Sequence, residues 1–145
     1  MAIRFPSTEY FNALGERMVA EQARFRRLGF IDTIFGITVA ENGKPRNFIL
    51  SFEVFELADV REVDTIDAAA VDFVIAGDTA VWGEMIDNIR RNGEANTRHD
   101  INTLTHFGEA LAVSYTDPEG HDKLYRFMES IQEFFDLTSQ IEVSI

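Results

Sequence analysis

Cysteine is absent from the 145 residues of the chain. Without thiols the protein forms no disulfide bond, and both thiolate catalysis and cysteine metal sites are excluded. This composition fits a reducing compartment, and the amino-terminal residues lack the basic start and apolar run of a secretory signal. We therefore expect a cytoplasmic protein.

Basic residues are scarce, because 13 Lys and Arg stand against 25 Asp and Glu and give this acidic protein a formal net charge of -12. Sequence-independent binding to a phosphate backbone depends on clustered Lys and Arg, so we expect no nucleic-acid partner. The first thirty residues nevertheless contain Arg17, Arg24, Arg26 and Arg27. A helix that bears these arginines suits transient contact with a membrane face, and equally an ordinary solvated surface.

Several other patterns are missing from the sequence. No uninterrupted apolar run approaches the roughly 18 residues of a membrane span, so we expect no integral membrane segment. Gly77 and Gly108 are single glycines that form no glycine-rich phosphate loop, and no Gly-x-Ser-x-Gly nucleophile motif occurs. We therefore expect a protein without a cofactor.

Aromatic residues are plentiful but mostly of one kind, with 13 Phe against 3 Tyr and 1 Trp. A phenyl ring carries no polar group and favours a dry environment. Two interpretations follow: the rings fill a core, as apolar side chains usually do, or they line a space for an apolar guest. The chain length suits one domain, and no linker or repeat divides residues 1–145.

Helical spacing of apolar residues marks both ends of the chain. One long helix is predicted from Ser7 or Thr8, which can cap it, to Gly29, which can end it. Near the other end, turn residues at 117–120 precede the most apolar helix of the chain, predicted over 124–135. Each helix is expected to bury one face.

Strand patterns occupy the middle of the chain. Alternating apolar residues over 33–39, the dipeptide Asn42-Gly43 and an apolar run over about 46–57 predict a β-hairpin. Residues 59–64 are polar and are interpreted as a connection to the next strand.

That next strand is predicted over 71–75 and leads through a Gly-Asp turn into a helix. Asp78 or Thr79 can cap this helix, and Gly93 can end it. Trp82, the single tryptophan, falls on its first turn. The remaining predicted elements are a short helix or turn near 101–105, a strand over 111–115, and a short strand or ordered tail in the last six residues.

Two stretches carry a family resemblance: IAGDTAVWGEMIDNI at 75–89 and INTLTHFGEALAVSY at 101–115. With the order of elements over roughly 10–137, they resemble the sterol carrier protein family, type two. The resemblance implies an α/β (α+β) fold in which helices cover one face of a five-stranded mixed, mostly antiparallel sheet. It also implies an apolar tunnel for a fatty acyl chain, acyl-CoA or sterol, and no catalysed reaction. The chain departs from the family in its longer arginine-bearing first helix and in lacking the peroxisomal ending of eukaryotic members.

The ligand implied by the resemblance is a hydrophobic small molecule. For the tunnel that the resemblance implies, we expect a lining of nine residues from the apolar faces: Phe48, Phe52, Phe73, Trp82, Met85, Phe107, Leu111, Phe127 and Ile131. Phe, Leu and Ile supply apolar surface, and the unbranched methionine side chain adapts to guests of different shape. Arg24, Arg26 and Arg27 are further candidates for contact with an anionic head group.

An enzymatic interpretation competes with the carrier. A small cone-shaped α+β enzyme of the nuclear transport factor type, isomerase-like or hydrolase-like, would use Asp72 or Glu53 as a base whose pKa is raised by desolvation. The chain's three histidines, His99, His106 and His121, admit a metal or acid–base role, although their spacing favours loop or surface positions. We predict no metal site and no catalytic residue.

A third interpretation is a non-catalytic interaction module. The acidic carboxyl half and the apolar ending IEVSI suit docking on a larger enzyme or the edge of a homodimer. A partner bound in stoichiometric amount would favour this interpretation, whereas bound lipid would favour the carrier.

Overall fold

The computed structural model describes residues 2–106 and 110–145. Five strands form one sheet: β2 Thr33–Glu41, β3 Lys44–Glu53, β4 Glu56–Val63, β5 Phe73–Asp78 and β6 Ala112–Ser114. Their order across the sheet is β4-β3-β2-β5-β6. Strands β2 and β5 are parallel and the other neighbours are antiparallel, which confirms the predicted mixed, mostly antiparallel sheet.

The described helices gather on one face of this sheet. They are α1 Thr8–Ala20, α2 Gln22–Leu28, α3 Thr79–Asn92, α4 Ile101–His106, α5 Pro118–Arg126 and α6 Met128–Asp136, with short 3-10 turns at Ala68–Ala70 and Leu137–Gln140. None of these helices is long and apolar enough to cross a membrane. Two further strands, β1 Ile3–Arg4 and β7 Val143–Ser144, pair in parallel and bring the chain ends together. Of the two predictions for the last residues, a short strand or an ordered tail, β7 shows the strand.

The predicted hairpin is confirmed at Asn42-Gly43. Both residues have positive φ, 53° and 79°, the backbone shape that a two-residue β-turn of this kind requires. Pairing runs without interruption from Glu41 opposite Lys44 to Thr33 opposite Phe52. This register points Phe52 and its same-face neighbours on β3 toward the helices.

The second predicted strand is shorter than expected, and the predicted polar connection at 59–64 is wrong. The chain turns at Val54, whose φ is 58°, and residues Glu56–Val63 return as β4. Among the strands that the structure describes, β4 pairs with β3 alone, so it is an edge strand. Most of its charged side chains lie in solvent, and the sequence therefore resembles that of a loop.

The two long helices predicted at the chain ends are each divided in two. The first breaks at Glu21, where φ is -116° and ψ is 37°, and the second breaks at Phe127, where φ is -106° and ψ is 11°. The break at Glu21 redirects α2 toward α6, so that Phe25 is buried and Arg24 donates to Glu133 of α6 at 2.6 Å. Both halves keep an apolar face, so periodicity alone cannot reveal the change of axis.

The connection between β4 and β5 crosses the sheet face opposite the helices. Asn47 of β3 donates to the carbonyl of Asp64 at 2.9 Å, which fixes the start of the crossing. Ile66 then lies over Gly36, where an added Cβ would stand 2.7 Å from the isoleucine Cδ1 atom. This face is therefore partly covered by the chain's own connection.

Candidate functional site

The site suggested by the sequence begins at the turn between β5 and α3. Asp78 caps α3 by accepting a hydrogen bond from the backbone N–H of Val81 at 3.0 Å, as predicted, and Gly93 ends the helix in the left-handed conformation. These limits place Trp82 on the first turn, facing the sheet. The indole is fully buried and donates from Nε1 to the carbonyl of Thr38 at 3.2 Å.

Gly77, before the cap, makes room for this arrangement. A Cβ atom added there would lie 2.4 Å from Leu111 Cδ2 and 3.5 Å from Trp82 Nε1. Leu111 and the indole therefore occupy the volume that any larger residue would need. Because glycine has no side chain, Leu111 and Trp82 can both pack against the end of β5.

Aromatic rings form a row across the middle of the covered sheet face. Phe35 of β2 stacks on Phe73 at 4.9 Å and on Phe52 at 5.7 Å, measured between ring centroids. Phe134 of α6 meets Phe52 edge-on at 5.0 Å. The row therefore joins three strands to the helix layer without a polar group.

The other predicted lining residues lie around this row in separate contacts. Phe48 packs against Phe11 of α1 at 5.2 Å, and Trp82 packs against Phe135 at 5.8 Å. Phe127 lies at the border, 6.0 Å from the ring of Phe30, which is 60% exposed. Three more, Met85, Leu111 and Ile131, are fully buried, and Phe107 lies outside the described residues. Every predicted lining residue that the structure describes is thus buried, while the lining role itself stays a prediction.

Four rings that the sequence analysis left out belong to the same interior: Phe11, Phe35, Phe134 and Phe135. Phe35 shares one face of β2 with Ile37 and Val39, so the two-residue periodicity of the strand indicates that it is buried. Phe134 and Phe135 were assigned only to the apolar helix. Which of two adjacent rings faces the sheet depends on the helix break at Phe127, and here both are fully buried.

These ring contacts limit what the interior can hold. Centroid distances of about 5 to 6 Å are those of rings in direct contact, so no chain passes between Phe35 and Phe73 while they stack. A guest in this layer has to part the rings. Met85 and Ile131 border the same interior with flexible aliphatic groups, which can adjust their rotamers more easily.

A pocket of about 240 Å³ opens at the surface between α4, β6 and α5. Its apolar lining includes Leu111 and Leu124, both members of the buried core. Leu111 also lies beside Gly77, close to Trp82. Its side chain therefore separates the pocket from the aromatic interior. A second pocket, of about 400 Å³, lies on the other side of Tyr125 and includes Met128.

The three histidines separate into two places. His106 of α4 and His121 of α5 both contact the ring of Tyr125, at 5.5 and 5.0 Å between centroids, and both line the 240 Å³ pocket. His99 instead contacts Asn96 in the loop before α4. In residues 2–106 and 110–145 no group of three or more His, Asp or Glu side chains is placed to hold a metal ion.

The carboxylates considered as catalytic bases occupy ordinary positions. Asp72 accepts hydrogen bonds from Thr33 Oγ1 at 2.7 Å and from the Ile34 N–H at 3.1 Å, and Lys123 Nζ lies 3.5 Å away. Glu53 is exposed at the end of β3. Neither carboxylate sits alone in an apolar pocket, which the cone-shaped enzyme would require.

A buried carboxylate that the sequence analysis missed is Asp136, at the end of α6. It is 5% exposed and accepts from the Ala95 N–H at 3.1 Å and from Gln132 Nε2 at 2.9 Å. Burial, with smaller contributions from Glu133 and Glu94, raises the pKa of Asp136 from 3.8 to about 6. These hydrogen bonds fasten the loop before α4 onto α6.

The arginines proposed for a head group are partly occupied within the protein. Arg24 pairs with Glu133 and Glu21. Arg26 donates to Gln22 and lies 4.8 Å above the ring of Phe55. Arg24 is therefore poorly placed to bind a ligand, because two carboxylates already use its donors.

These elements form a small α+β domain in which helices cover one face of a mixed five-stranded sheet. No protein-family model and no curated protein sequence matches the chain. By structure it is similar to a conserved hypothetical protein from Thermus thermophilus described as a candidate sterol carrier protein, with a TM-score of 0.70, 15% identity and coverage of 95% of this chain and 90% of that chain.

Two structures of sterol carrier protein 2 are similar as well. One crystal structure gives a TM-score of 0.67 at 13% identity and covers 93% of this chain and 97% of that chain. The apo form from Yarrowia lipolytica gives 0.54 at 13% identity, covering 91% and 93%. Identities this low show the fold alone. The chain therefore has the sterol carrier protein 2 fold, which confirms the fold expected from the resemblance.

Proposed function

We propose that the protein binds a hydrophobic small molecule, a fatty acyl chain, between the helices and the covered sheet face, and carries or presents it without catalysing a reaction. The observation that carries the proposal is the sterol carrier protein 2 fold over more than nine-tenths of the chain. The cytoplasm remains the expected location.

The chemistry of the covered face supports this assignment. Its central side chains are apolar on three neighbouring strands, for example Phe48, Ile37 and Ile75. Transfer of an acyl chain from water to such a surface gains about 25 cal/mol per Å² of apolar area. Because the guest replaces ring–ring contacts with ring–chain contacts, no buried polar group loses its hydrogen bond during binding.

Binding requires the aromatic row to rearrange, since its rings touch in this structure. Part of the gain from apolar burial is spent on moving those rings. We therefore expect moderate affinity and tolerance of different chain lengths, rather than a rigid fit to one ligand.

The sole tryptophan provides a direct test. A fatty acid brominated at mid-chain quenches an indole only at contact, so titration of the full chain should quench Trp82 fluorescence in a saturable manner. A brominated acid with a hydrocarbon chain of only a few carbons is the matched control. Native mass spectrometry of freshly purified protein should also show lipid carried from the expression host.

Quenching equal to that of the short acid, together with a protein mass free of adducts, would refute lipid binding. Saturable quenching that an unlabelled fatty acid reverses would support it. Co-purification of one protein in stoichiometric amount, without lipid, would support the docking module instead.

A further inference from the structure

The pocket between α4, β6 and α5 has a polar rim above an apolar floor. The rim carries His106, His121 and Tyr125, and the floor carries Leu111 and Leu124. At about 240 Å³ the pocket accommodates a polar head and a few methylene groups, but not a whole acyl chain. Such a division suits the mouth of a site for an amphiphile.

Hydrogen bonds fix one side of the rim. His106 Nδ1 lies 2.7 Å from the carbonyl of Asn102, which can only accept, so Nδ1 carries the proton. In the neutral ring Nε2 is then the acceptor, and the Tyr125 hydroxyl donates to it at 3.0 Å. This contact joins α4 to α5 across the pocket and holds the tyrosine ring in place.

Ring contacts fix the other side. His121 stacks on Tyr115 with centroids 4.1 Å apart and planes within 7°, and it meets Tyr125 edge-on. Within the described residues, no side chain or backbone group hydrogen-bonds to the His121 ring nitrogens. These ring contacts hold the imidazole of His121 at the rim of the pocket.

The carboxylates near the pocket are engaged elsewhere. Asp100 caps α4 through the Thr103 N–H at 2.7 Å, and Asp122 pairs with Arg126 at 2.8 Å. Neither these two nor any other described carboxylate lines the pocket. On a chain with a net charge of -12, the described rim of this pocket carries two imidazoles and a phenol, groups whose N–H and O–H can donate to an anionic head group.

We propose that this pocket is the mouth of the lipid site and that it binds the carboxylate head of a long-chain acid. This inference rests on the proposed function. The His121 N–H donates to the carboxylate, Tyr125 borders it, and His106 positions Tyr125. The acyl chain passes Leu111, which separates the pocket from Trp82. A carboxylate accepts such charge-assisted hydrogen bonds more strongly than an alcohol does.

The test compares two brominated probes with the same chain, an acid and the corresponding alcohol, by quenching of Trp82. The wild-type protein should bind the acid about ten-fold more tightly. His121→Phe keeps the stack on Tyr115 but loses the N–H, so it should weaken binding of the acid far more than binding of the alcohol and remove most of this preference. Tyr125→Phe should lower the preference by a smaller factor, and His99→Phe, outside the pocket, should not alter it.

Equal losses for acid and alcohol in His121→Phe, or an unchanged preference in both pocket variants, would overturn the head-group site while leaving lipid binding intact. If neither probe quenches Trp82 in the wild-type protein, the proposed function itself is wrong. Circular dichroism of each variant confirms that it is folded as the wild type is.

Discussion

The two faces of the sheet are held by different forces. On the helix-covered face, Phe35, Phe48 and Phe73 are fully buried among other apolar groups. On the opposite face Ile34 is 43% exposed, and Thr38 donates to Asn47 at 2.8 Å. One face is stabilised by filled volume and the other mainly by directed hydrogen bonds and a crossing loop.

This difference indicates where a lipid chain can be accommodated. Apolar contacts are non-directional, so a guest can replace them at modest cost. A hydrogen bond such as the one between Asn47 and the Asp64 carbonyl cannot be replaced by a hydrocarbon, and breaking it leaves polar groups unsatisfied. The covered face is therefore the side on which we place the proposed lipid site.

The largest effect is expected from Trp82→Ala on the covered face. Loss of a fully buried indole leaves a cavity and should lower the free energy of unfolding by about 3–5 kcal/mol. Urea denaturation followed by far-UV circular dichroism measures it. Phe30→Ala, at an exposed ring, should cost less than about 1 kcal/mol. Equal losses in the two variants would contradict the packed position of Trp82, and affinity for lipid should change together with stability.

The two faces of the sheet can be compared by adding one methyl group to a glycine on each face and measuring the loss of stability. At Gly77, on the covered face, a methyl group collides with the enclosed Leu111, and we expect Gly77→Ala to cost about 1–3 kcal/mol. At Gly36 the methyl group meets the terminal Cδ1 atom of the partly buried Ile66, which can move aside, so Gly36→Ala should cost under about 1 kcal/mol. Thermal unfolding of both variants ranks them, and the reverse order would show that the covered face is the more adaptable one.

Asp136 is a charged group buried in the helix layer above the covered face. Its pKa is raised from 3.8 to about 6 when folded, so the ionised carboxylate destabilises the native state above pH 6, and the penalty disappears as pH falls to about 4. Asp136→Asn keeps an acceptor for Ala95 and Gln132. It should be roughly 1–2 kcal/mol more stable than wild type at pH 7 and equal to it near pH 4.

Denaturation of both proteins across this pH range measures the gap. Asp136→Ala removes the acceptor as well and should not gain the stability of the asparagine variant at pH 7. A gap between Asp136→Asn and wild type that does not vary with pH would mean that the carboxylate titrates alike in the folded and unfolded chains.

The smallest change in stability is expected at Val54, directly after the end of β3. Val54 holds a φ of 58°, which disfavours a β-branched residue, and its side chain is 57% exposed. Val54→Gly should therefore raise the free energy of unfolding by about 0.5–1 kcal/mol. Val19→Gly, on the exposed side of α1, should lower it by a similar amount. If chemical denaturation shows the free energy of unfolding changing in the same direction in both variants, Val54 is not strained.

Predictions from single residues were correct where the residue type strongly favours one backbone conformation or one capping role. Asn42-Gly43 specified the hairpin, Asp78 the helix cap and Gly93 the helix end. Errors arose where a pattern fits two structures. The polar strand β4 resembled a loop because it is an edge, and the helix breaks at Glu21 and Phe127 left apolar periodicity intact.

The candidate site was foreseen only in part. Burial of Phe52, Phe73 and Trp82 followed from their positions on apolar faces. Their contacts did not, because the stacking of Phe35 between Phe52 and Phe73 depends on strand order and register. The meeting of His106 and His121 at Tyr125 likewise depends on how α4 lies against α5.

The sequence by itself determined the hairpin, the cap before Trp82 and the apolar nature of the interior. These features depend on neighbouring residues and on periodicity, which act within a few positions of the chain. Only the tertiary structure decided which rings touch, that Asp136 is buried, and that two distant histidines share a pocket. Such contacts join residues far apart in sequence, and they form only when strand order and helix axes are fixed.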